Sequence, residues 1–224
     1  MLQDEEVIQE MMNKGVNNIL PSPQTRRLVD RRLVWPAVDE EISGGFRLRD
    51  LDWSNPREIE EVARLNREAF PELFGSVYED ILFPSRWPRW AEHWRVYRVT
   101  EGERQAATCF LTPSVQNMDV ELSVLVTDPD FRGRGLARQF TRAMDRLIGK
   151  SGAEYATVFC VTFHIATQKI IEELGFERIG EMHGYVLANA GLGRYARVTD
   201  VLYIKMYNEA WTLCPSEERL TKPS

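Results

Sequence analysis

The sequence predicts an α/β fold, of the α+β kind, with about four helices flanking a mixed, mostly antiparallel sheet of six to seven strands. Three observations lead to this class. Short apolar or alternating runs recur between turn residues, as strands do. Longer runs place apolar residues every three or four positions, as amphipathic helices do. Two glycine-containing turns join neighbouring strand-like runs, which is typical of antiparallel hairpins.

Three segments are expected along the chain of 224 residues, which is long enough to bury one sizeable core. Residues 1–44 lie outside the periodic pattern and are predicted to form an N-terminal arm that packs on the domain. Residues 45–207 form the domain, and residues 208–224 form a C-terminal tail. Trp35 supports packing of the arm, because an exposed tryptophan is costly. The alternative is that Trp35 closes a substrate pocket.

The first half of the domain begins with an alternating strand at residues 45–51. Asn55 is expected to cap a helix that starts at Pro56 and runs to Phe70. A second helical region, at about residues 75–92, is broken by prolines. This region and its flank hold an unusual concentration of aromatic residues, which form either core or the wall of an acceptor pocket. The aromatic residues are Tyr78, Phe83, Trp87, Trp90 and Trp94.

The remaining elements follow in order. Residues 95–99 and 105–111 are expected to pair as a hairpin around Gly102. Residues 120–127 and 155–163 are apolar runs that indicate buried strands. A short helix at residues 166–174 separates the second of these from a last antiparallel pair, residues 177–185 and 198–206.

The stretch after residue 127 indicates an anion site. Asp128, Pro129 and Asp130 end the strand, because proline cannot donate to a ladder. The next six residues, 132–137, read Arg-Gly-Arg-Gly-Leu-Ala and lead directly into a helix. A strand, a glycine-rich turn and a helix N-terminus present free backbone N–H groups and a positive dipole end. The sequence therefore predicts phosphate binding here.

Neither common nucleotide motif fits this loop, since it has no Gly-Lys-Ser/Thr ending and no G-x-G-x-x-G spacing. It closely resembles the acetyl-CoA pyrophosphate loop of the GCN5-related N-acetyltransferase (GNAT) superfamily, Arg/Gln-x-x-Gly-x-Gly/Ala. Arg132, Gly135 and Ala137 meet that pattern. Pro129-Asp130-Phe131 also supplies the Pro-acidic-aromatic turn that usually precedes the loop in the superfamily.

The resemblance implies the GNAT acyl-CoA N-acyltransferase fold. It also implies a transferase that moves an acetyl or other short acyl group from CoA to a small-molecule amine acceptor. Backbone groups of the central strand would bind the pantetheine arm, and the loop with the adjacent arginines would hold the pyrophosphate. The implied CoA-binding residues are Leu125, Val126, Thr127, Arg132, Gly133, Arg134, Gly135, Leu136, Ala137 and Arg138.

Three residues are candidates for the chemistry. Glu121 matches a position where some members of the superfamily carry a glutamate base, although a solvated glutamate is an equal alternative. The backbone N–H of Thr127 would stabilise the oxyanion. His164 stands where the superfamily often has asparagine. Its side chain either caps the helix or contacts CoA, or it acts on the acyl group or the thiolate. The position of the usual tyrosine general acid is Ile171, which cannot donate a proton.

Two further possibilities stay open. Thr127 and His164 resemble a Thr/His pair in the GNAT-like loading domains of polyketide synthases. That likeness implies a malonyl-CoA decarboxylase and S-acetyltransferase, which loads the thiol of an acyl carrier protein. The missing tyrosine is also compatible with a CoA-binding module without catalysis.

Composition narrows the class of protein. A net charge of −6 argues against a nucleic-acid surface. The acidic start and the lack of a long apolar run predict a cytoplasmic protein with no membrane segment. The three cysteines are widely spaced, and two lie in apolar strands, so buried thiols are expected. No metal is implied, because no His, Cys and carboxylate cluster has ligand spacing. The oligomeric state is open.

Overall fold

The computed structural model describes residues 32–70, 79–188 and 196–207. Eight strands form one sheet in the order β1-β2-β3-β4-β5-β6-β8-β7. The strands are β1 (Asp39–Ile42), β2 (Phe46–Asp50), β3 (Arg95–Glu101), β4 (Arg104–Ser114), β5 (Asp119–Thr127), β6 (Tyr155–Val161), β7 (Glu177–Ala188) and β8 (Ala196–Met206). The predicted fold class is confirmed, with one more strand than expected.

The additional strand, β1, lies within the segment predicted as an arm and pairs antiparallel with β2. Its alternation is weak, since Asp39, Glu40 and Glu41 are exposed. Strand β1 is therefore held mainly by its ladder rather than by a buried face. Upstream of it, Leu33 and Trp35 pack against the main core, and Val34 N–H donates to the Ser151 carbonyl at 2.8 Å.

The described residues contain three α-helices: α1 (Pro56–Ala69), α2 (Leu136–Ser151) and α3 (Ile165–Glu173). Helix α1 begins as expected, because Asn55 Oδ1 accepts from Arg57 N–H at 3.1 Å and Pro56 occupies the first turn. The second helical region is not α-helical where it is described. Two 3-10 helices, Glu79–Leu82 and Pro84–Trp90, occupy residues 79–90. Pro84 and Pro88 lack the N–H groups that an α-helix would need there.

Two hydrophobic clusters cover opposite faces of the sheet. The α2 face, which includes Val99, Leu111 and Val120, packs against α2 and α3 as the main core. The α1 face, which includes Val96 and Phe110, packs against α1 and the 3-10 helices. Helices thus cover both faces of the sheet on either side of its central strands.

All strand pairs are antiparallel except β5 with β6, which are parallel and joined through α2. Their ladder covers only Asp119–Glu121 against Tyr155–Thr157. Beyond Glu121 the strands separate, while β5 stays paired with β4 and β6 with β8. The sheet therefore has an opening between β5 and β6, at the end where β5 leads to the glycine-rich loop.

Candidate active site

The opening is lined on one side by β5 from Leu122 to Thr127, whose edge toward β6 has no ladder partner among the described residues. An unpaired strand edge carries free N–H and C=O groups that an extended ligand can pair with. This is where the sequence places the contacts of Leu125, Val126 and Thr127 with an extended arm. The structure brings these residues to the opening, and their role in binding stays a prediction.

A bulge in β5 shapes the same edge. The register with β4 shifts between Ser123, opposite Phe110, and Val126, opposite Thr108. Val124 lies inside the bulge with a φ of +38°, a conformation that is rare and strained for a β-branched residue. The bulge turns Val124 toward the α1 face, where it packs against the second cluster. Sequence reasoning missed this bulge, because nothing in a run of apolar strand residues marks it.

The loop after β5 has the backbone geometry of an anion cradle. Gly133 and Gly135 have φ values of +74° and +73°, and an added Cβ at either position would have no atom within 4 Å. Gly135 is the N-cap of α2, and it has no side chain to occupy the first N–H groups of the helix. The donors and the positive end of the α2 dipole are thus available to a ligand. The residues present fit a pyrophosphate group.

The arginines of the loop have different surroundings. The Arg134 guanidinium donates to Glu101 Oε1 at 2.5 Å, and its Cζ lies 4.5 Å from the centroid of the Phe46 ring. The hydrogen bond from Arg134 is the main cause that lowers the pKa of Glu101. Arg138 pairs with Glu173 at 3.0 Å.

Arg132 instead donates from Nε to the Thr127 carbonyl at 3.2 Å, and it forms no ion pair with any described residue. Its guanidinium is the best placed charge for a phosphate. Contacts from Arg134 and Arg138 would require them to exchange their carboxylate partners.

Thr127 and His164 lie at the same end of the opening. Glu121 and Thr157 form the last pair of the parallel ladder; Thr127 comes six residues after Glu121, and His164 comes seven residues after Thr157. Thr127 Oγ1 is buried and has no hydrogen-bond partner. His164 is the exposed N-cap of α3; its side chain makes no cap hydrogen bond, and its ring lies 4.7 Å from that of Phe163. The capping interpretation of the His164 side chain is therefore wrong.

Glu121 stands at the other end, where the opening closes. It is half-buried on the α1 face, opposite Thr112 in β4 and Thr157 in β6. At about 3.3 Å per residue, roughly 20 Å of strand separates it from the level of Thr127. The three candidate catalytic residues thus do not converge on one point. Ile171 is 1% exposed in the main core, and its aliphatic side chain has no proton to donate.

The aromatic segment is mainly core. Trp87 is fully buried and makes edge contacts with Trp53, Trp94 and Phe110 at ring centroid distances of 6.0, 6.3 and 5.5 Å. Trp90 is partly buried and stacks on Trp94 at 4.9 Å. Phe83 is half-buried, and Tyr78 lies outside the described residues. Because Phe110 is opposite Ser123, the cluster supports the bulge of β5 on the α1 face.

A carboxylate that sequence reasoning missed lies on this face. Asp200, in β8, is 3% exposed, and its Oδ1 has no hydrogen-bond partner. The sequence does mark this residue, since Asp200 is the one charged residue in the run from Val198 to Ile204. Its place beside the opening was hidden because the pairing of β8 with β6 cannot be read from sequence.

Two kinds of feature are absent from the part of the chain that the structure describes. Among residues 32–70, 79–188 and 196–207, no three or more His, Cys, Asp or Glu side chains are grouped so as to hold a metal ion. Over the same ranges, no helix has both the length and the apolar character needed to cross a membrane.

Comparison with known proteins gives two results. Residues 103–185 match the family model described as FR47-like protein, while a search of curated protein sequences finds no significant match. The matched segment contains β5, the opening, the glycine-rich loop and α3. The family match thus falls on the part of the chain that carries the candidate site.

Solved structures of N-acetyltransferases share the fold. The ribosomal-protein-S5-alanine acetyltransferase from Vibrio fischeri aligns with a TM-score of 0.62 at 15% identity, covering 77% of this chain and 98% of that one. Spermidine N-acetyltransferase from Vibrio cholerae, in complex with CoA and spermine, gives 0.60 at 14%, with 75% and 99% covered. A Bacillus subtilis acetyltransferase in complex with CoA gives 0.56 at 17%, with 73% and 99% covered. The sequence resemblance to the GNAT superfamily is thus confirmed at the level of the fold.

Proposed function

We propose that this protein is an acyltransferase that moves an acetyl or other short acyl group from CoA to the amine of a small-molecule acceptor. One observation carries the proposal. The unpaired edge of β5 leads without interruption into a glycine-rich loop at an uncapped helix N-terminus. An extended amide-containing arm fits the first part and a pyrophosphate fits the second, and CoA has both in that order.

Each part of the site has a proposed role. Backbone groups of Leu125 to Thr127 would hold the pantetheine arm, and the loop from Arg132 to Ala137 would hold the pyrophosphate. The backbone N–H of Thr127 would stabilise the oxyanion. Glu121 and His164 are the proposed acid–base residues from the sequence, at opposite ends of the opening. Transfer is direct, within a ternary complex of protein, acyl-CoA and amine.

The fold relatives support an amine acceptor. The Vibrio cholerae relative is named for spermidine and was solved with spermine, and the Vibrio fischeri relative is named for an alanine of a ribosomal protein. Both names describe acceptors that present an amino group. For this chain we propose the shared chemistry, an amine, without choosing between these acceptors.

The buried, unpartnered Thr127 Oγ1 favours a second candidate. A hydroxyl without a partner at the acyl end of the opening is free to hydrogen-bond a malonyl carboxylate or its enolate. Decarboxylation of malonyl-CoA and transfer of the acetyl group to the thiol of an acyl carrier protein would use Thr127 with His164.

One assay separates these functions. The purified protein is incubated with acetyl-CoA or malonyl-CoA and a panel of amines, and free thiol, released CO₂ and acylated amine are measured. Amine-dependent thiol release from acetyl-CoA supports the first candidate, and CO₂ release from malonyl-CoA supports the second. CoA binding without either reaction would leave a CoA-binding module. A failure of CoA to shift the thermal unfolding transition would contradict all three.

The role of His164 can be tested within this assay. Because its side chain is exposed and does not cap α3, we expect His164→Ala to leave stability nearly unchanged. Loss of an acid–base group should lower kcat by about 10²-fold, while Kd for CoA stays within about twofold. His93→Ala, at the rim of the Trp90 stack, is the control and should do neither. Equal losses in kcat and CoA affinity would assign His164 to CoA binding instead.

A further inference from the structure

Asp200 is a buried carboxylate whose negative charge is not balanced by a cation among the described residues. It is 3% exposed, its Oδ1 has no partner, and no described Lys, Arg or His pairs with it. Burial alone raises its pKa. By comparison, the buried Arg98 guanidinium meets Glu58 at 2.7 Å and Glu61 at 3.2 Å. Burying a charge without a partner costs folding free energy, so such groups are concentrated at functional sites.

Its position relates it to the opening. In the antiparallel ladder with β6, Asp200 is opposite Val161. Thr157 is level with Glu121, the last paired residue of β5, and Val161 lies four residues further along β6, where the two strands have separated. Paired residues project from the same face, so Asp200 faces the α1 side together with Glu121 and Ser123. Asp200 is therefore nearer to the middle of the opening along the strand axis than Glu121, which marks its closed end.

The residues paired with Asp200 are apolar, and the β7–β8 ladder is interrupted beside it. On β7 it is opposite Met182, after which the β7–β8 register shifts until Val186. Tyr185 lies in that irregular stretch, is 49% exposed and stacks on Phe159 of β6 at 5.9 Å. Phe159 is opposite Leu202, two residues from Asp200 on the same face. The Tyr185 ring is half-exposed, so it can move without disturbing the core, and bulges of this kind often adjoin active sites.

We propose that Asp200 receives the acceptor as an ammonium ion, beneath the Tyr185–Phe159 pair, and takes a proton from it. This inference rests on the proposed function and defines its acceptor class. The acceptor is a primary ammonium on an apolar or aromatic chain, which lies along the two rings while its charge compensates Asp200.

In this step Asp200 takes the role of base that the sequence assigns to Glu121. The ammonium gives one proton to the Asp200 carboxylate, and the freed nitrogen lone pair attacks the thioester carbonyl carbon. The C–N bond forms, the C–S bond breaks, and CoA leaves as the thiolate. The nitrogen then gives its second proton to the thiolate, and Asp200 later returns its proton to water. No tyrosine acid is needed at the position of the buried Ile171, because His164 is the proposed carrier of the second proton from the nitrogen to the thiolate.

The test uses Asp200→Asn with a matched control. Asp119 is on the same face of the sheet at the start of β5 and is half-buried. Its Oδ1 also lacks a partner among the described residues, and burial raises its pKa, although a hydrogen bond with Ser114 opposes that rise. Asp119→Asn therefore makes the same chemical change away from the opening. The probe is 2-phenylethylamine with acetyl-CoA for kinetics. The same amine with the protein–CoA complex gives its equilibrium binding by calorimetry, a readout that does not depend on turnover.

We expect Asp200→Asn to reduce kcat/KM for 2-phenylethylamine by about 10²-fold or more and to weaken its binding, with Kd for CoA unchanged. The same variant should have a higher Tm at pH 7.5. Because burial raises the pKa of Asp200, the carboxyl group costs no folding free energy while it is protonated at low pH. Its charge lowers the free energy of unfolding as pH rises through the folded-state pKa. The Asp200→Asn substitution removes this cost, so the difference in Tm between the variant and the wild type should shrink toward pH 4.

Titratable neighbours also bear on this pH dependence. The residues opposite Asp200, Val161 and Met182, do not titrate. Cys160 carries a thiol whose pKa is raised to about 12, first by burial and then by Asp200, and so stays neutral over this range. His183, next to Met182, bonds through Nδ1 to Thr199 Oγ1 at 3.1 Å, so His183→Gln serves as a pH control.

The outcomes are distinct. Unchanged amine binding and kcat/KM in Asp200→Asn, or a loss equal to that in Asp119→Asn, would overturn the proposal. A lower Tm together with lower activity would also overturn it and make Asp200 structural. If the wild type binds the amine through Asp200 but transfers no acyl group, the proposed function fails and the ammonium site stands.

Discussion

At the scale of single residues, Gly133 and Gly135 decide what the loop after β5 can bind. Both have positive φ, and a Cβ atom added to either glycine would have no protein atom within 4 Å. Their backbone conformation, rather than lack of space in the protein, therefore requires glycine. The space that a side chain would fill is the space through which a phosphate would approach the N–H groups.

Gly135→Ala should consequently have two separable effects. The positive φ should cost about 1–2 kcal/mol of stability. The added methyl group should also weaken CoA binding by roughly tenfold or more, because it blocks the approach of the phosphate to the helix N-terminus. Calorimetry with CoA and urea unfolding measure the two quantities.

Gly45→Ala provides the matched control, since Gly45 has a φ of +77° and equally open space, in the β1–β2 turn. It should lose similar stability and keep CoA affinity. Equal CoA affinity in both variants would contradict the assignment of the loop as the pyrophosphate site.

At the scale of elements, the two 3-10 helices between α1 and β3 are held by Trp87. Its Nε1 donates to the Asp80 carbonyl at 3.1 Å, and its ring joins Trp53, Trp94 and Phe110. Short 3-10 helices have little stability of their own. Their place on the sheet therefore depends on this tryptophan.

Trp87→Ala should destabilise the protein by about 3–5 kcal/mol, as expected for a buried tryptophan. Trp90→Ala, on the partly buried rim of the same cluster, should cost clearly less. Urea unfolding followed by circular dichroism compares the two. Similar losses would show that the segment is held by its polar contacts around Asp80 rather than by Trp87.

Sequence could predict those elements whose signals are local. The Asn55-Pro56 start of α1, the apolar stripe of α2 and the loop at Gly133 and Gly135 depend on neighbouring residues, and the structure has them where they were expected. Strand β1 escaped prediction because its acidic residues depend on β2 for pairing. The Val124 bulge and the position of Asp200 depend on register between distant strands, which no single stretch encodes.

At the scale of the whole molecule, the opening divides the sheet into two parts. Strands β1 to β5 form one part and β6, β8 and β7 the other, joined by the short ladder at Glu121 and by the main core beneath. Amide groups along the opening lack ladder partners, and local opening of a structure is easiest where hydrogen bonds are missing.

Bound CoA should therefore protect a defined set of amides. Hydrogen–deuterium exchange should slow in peptides that cover residues 122–127 and 132–138 when CoA is added. Peptides that cover β1 and β2 serve as the internal control and should exchange at the same rate with and without CoA. Uniform protection over the whole chain would indicate general stabilisation by ligand binding, and no protection at the opening would place CoA elsewhere.

The parallel pairing of β5 with β6 also bears on how the chain folds. The β1–β2, β3–β4 and β4–β5 connections are short and inexpensive to close, whereas α1 and two 3-10 helices lie between β2 and β3. The β5–β6 connection likewise contains the whole of α2, and its closure entropy is offset by only the short ladder at Asp119–Glu121. The opening is thus formed where a long connection is offset by few ladder hydrogen bonds, and it exists only once both parts of the chain have been synthesised.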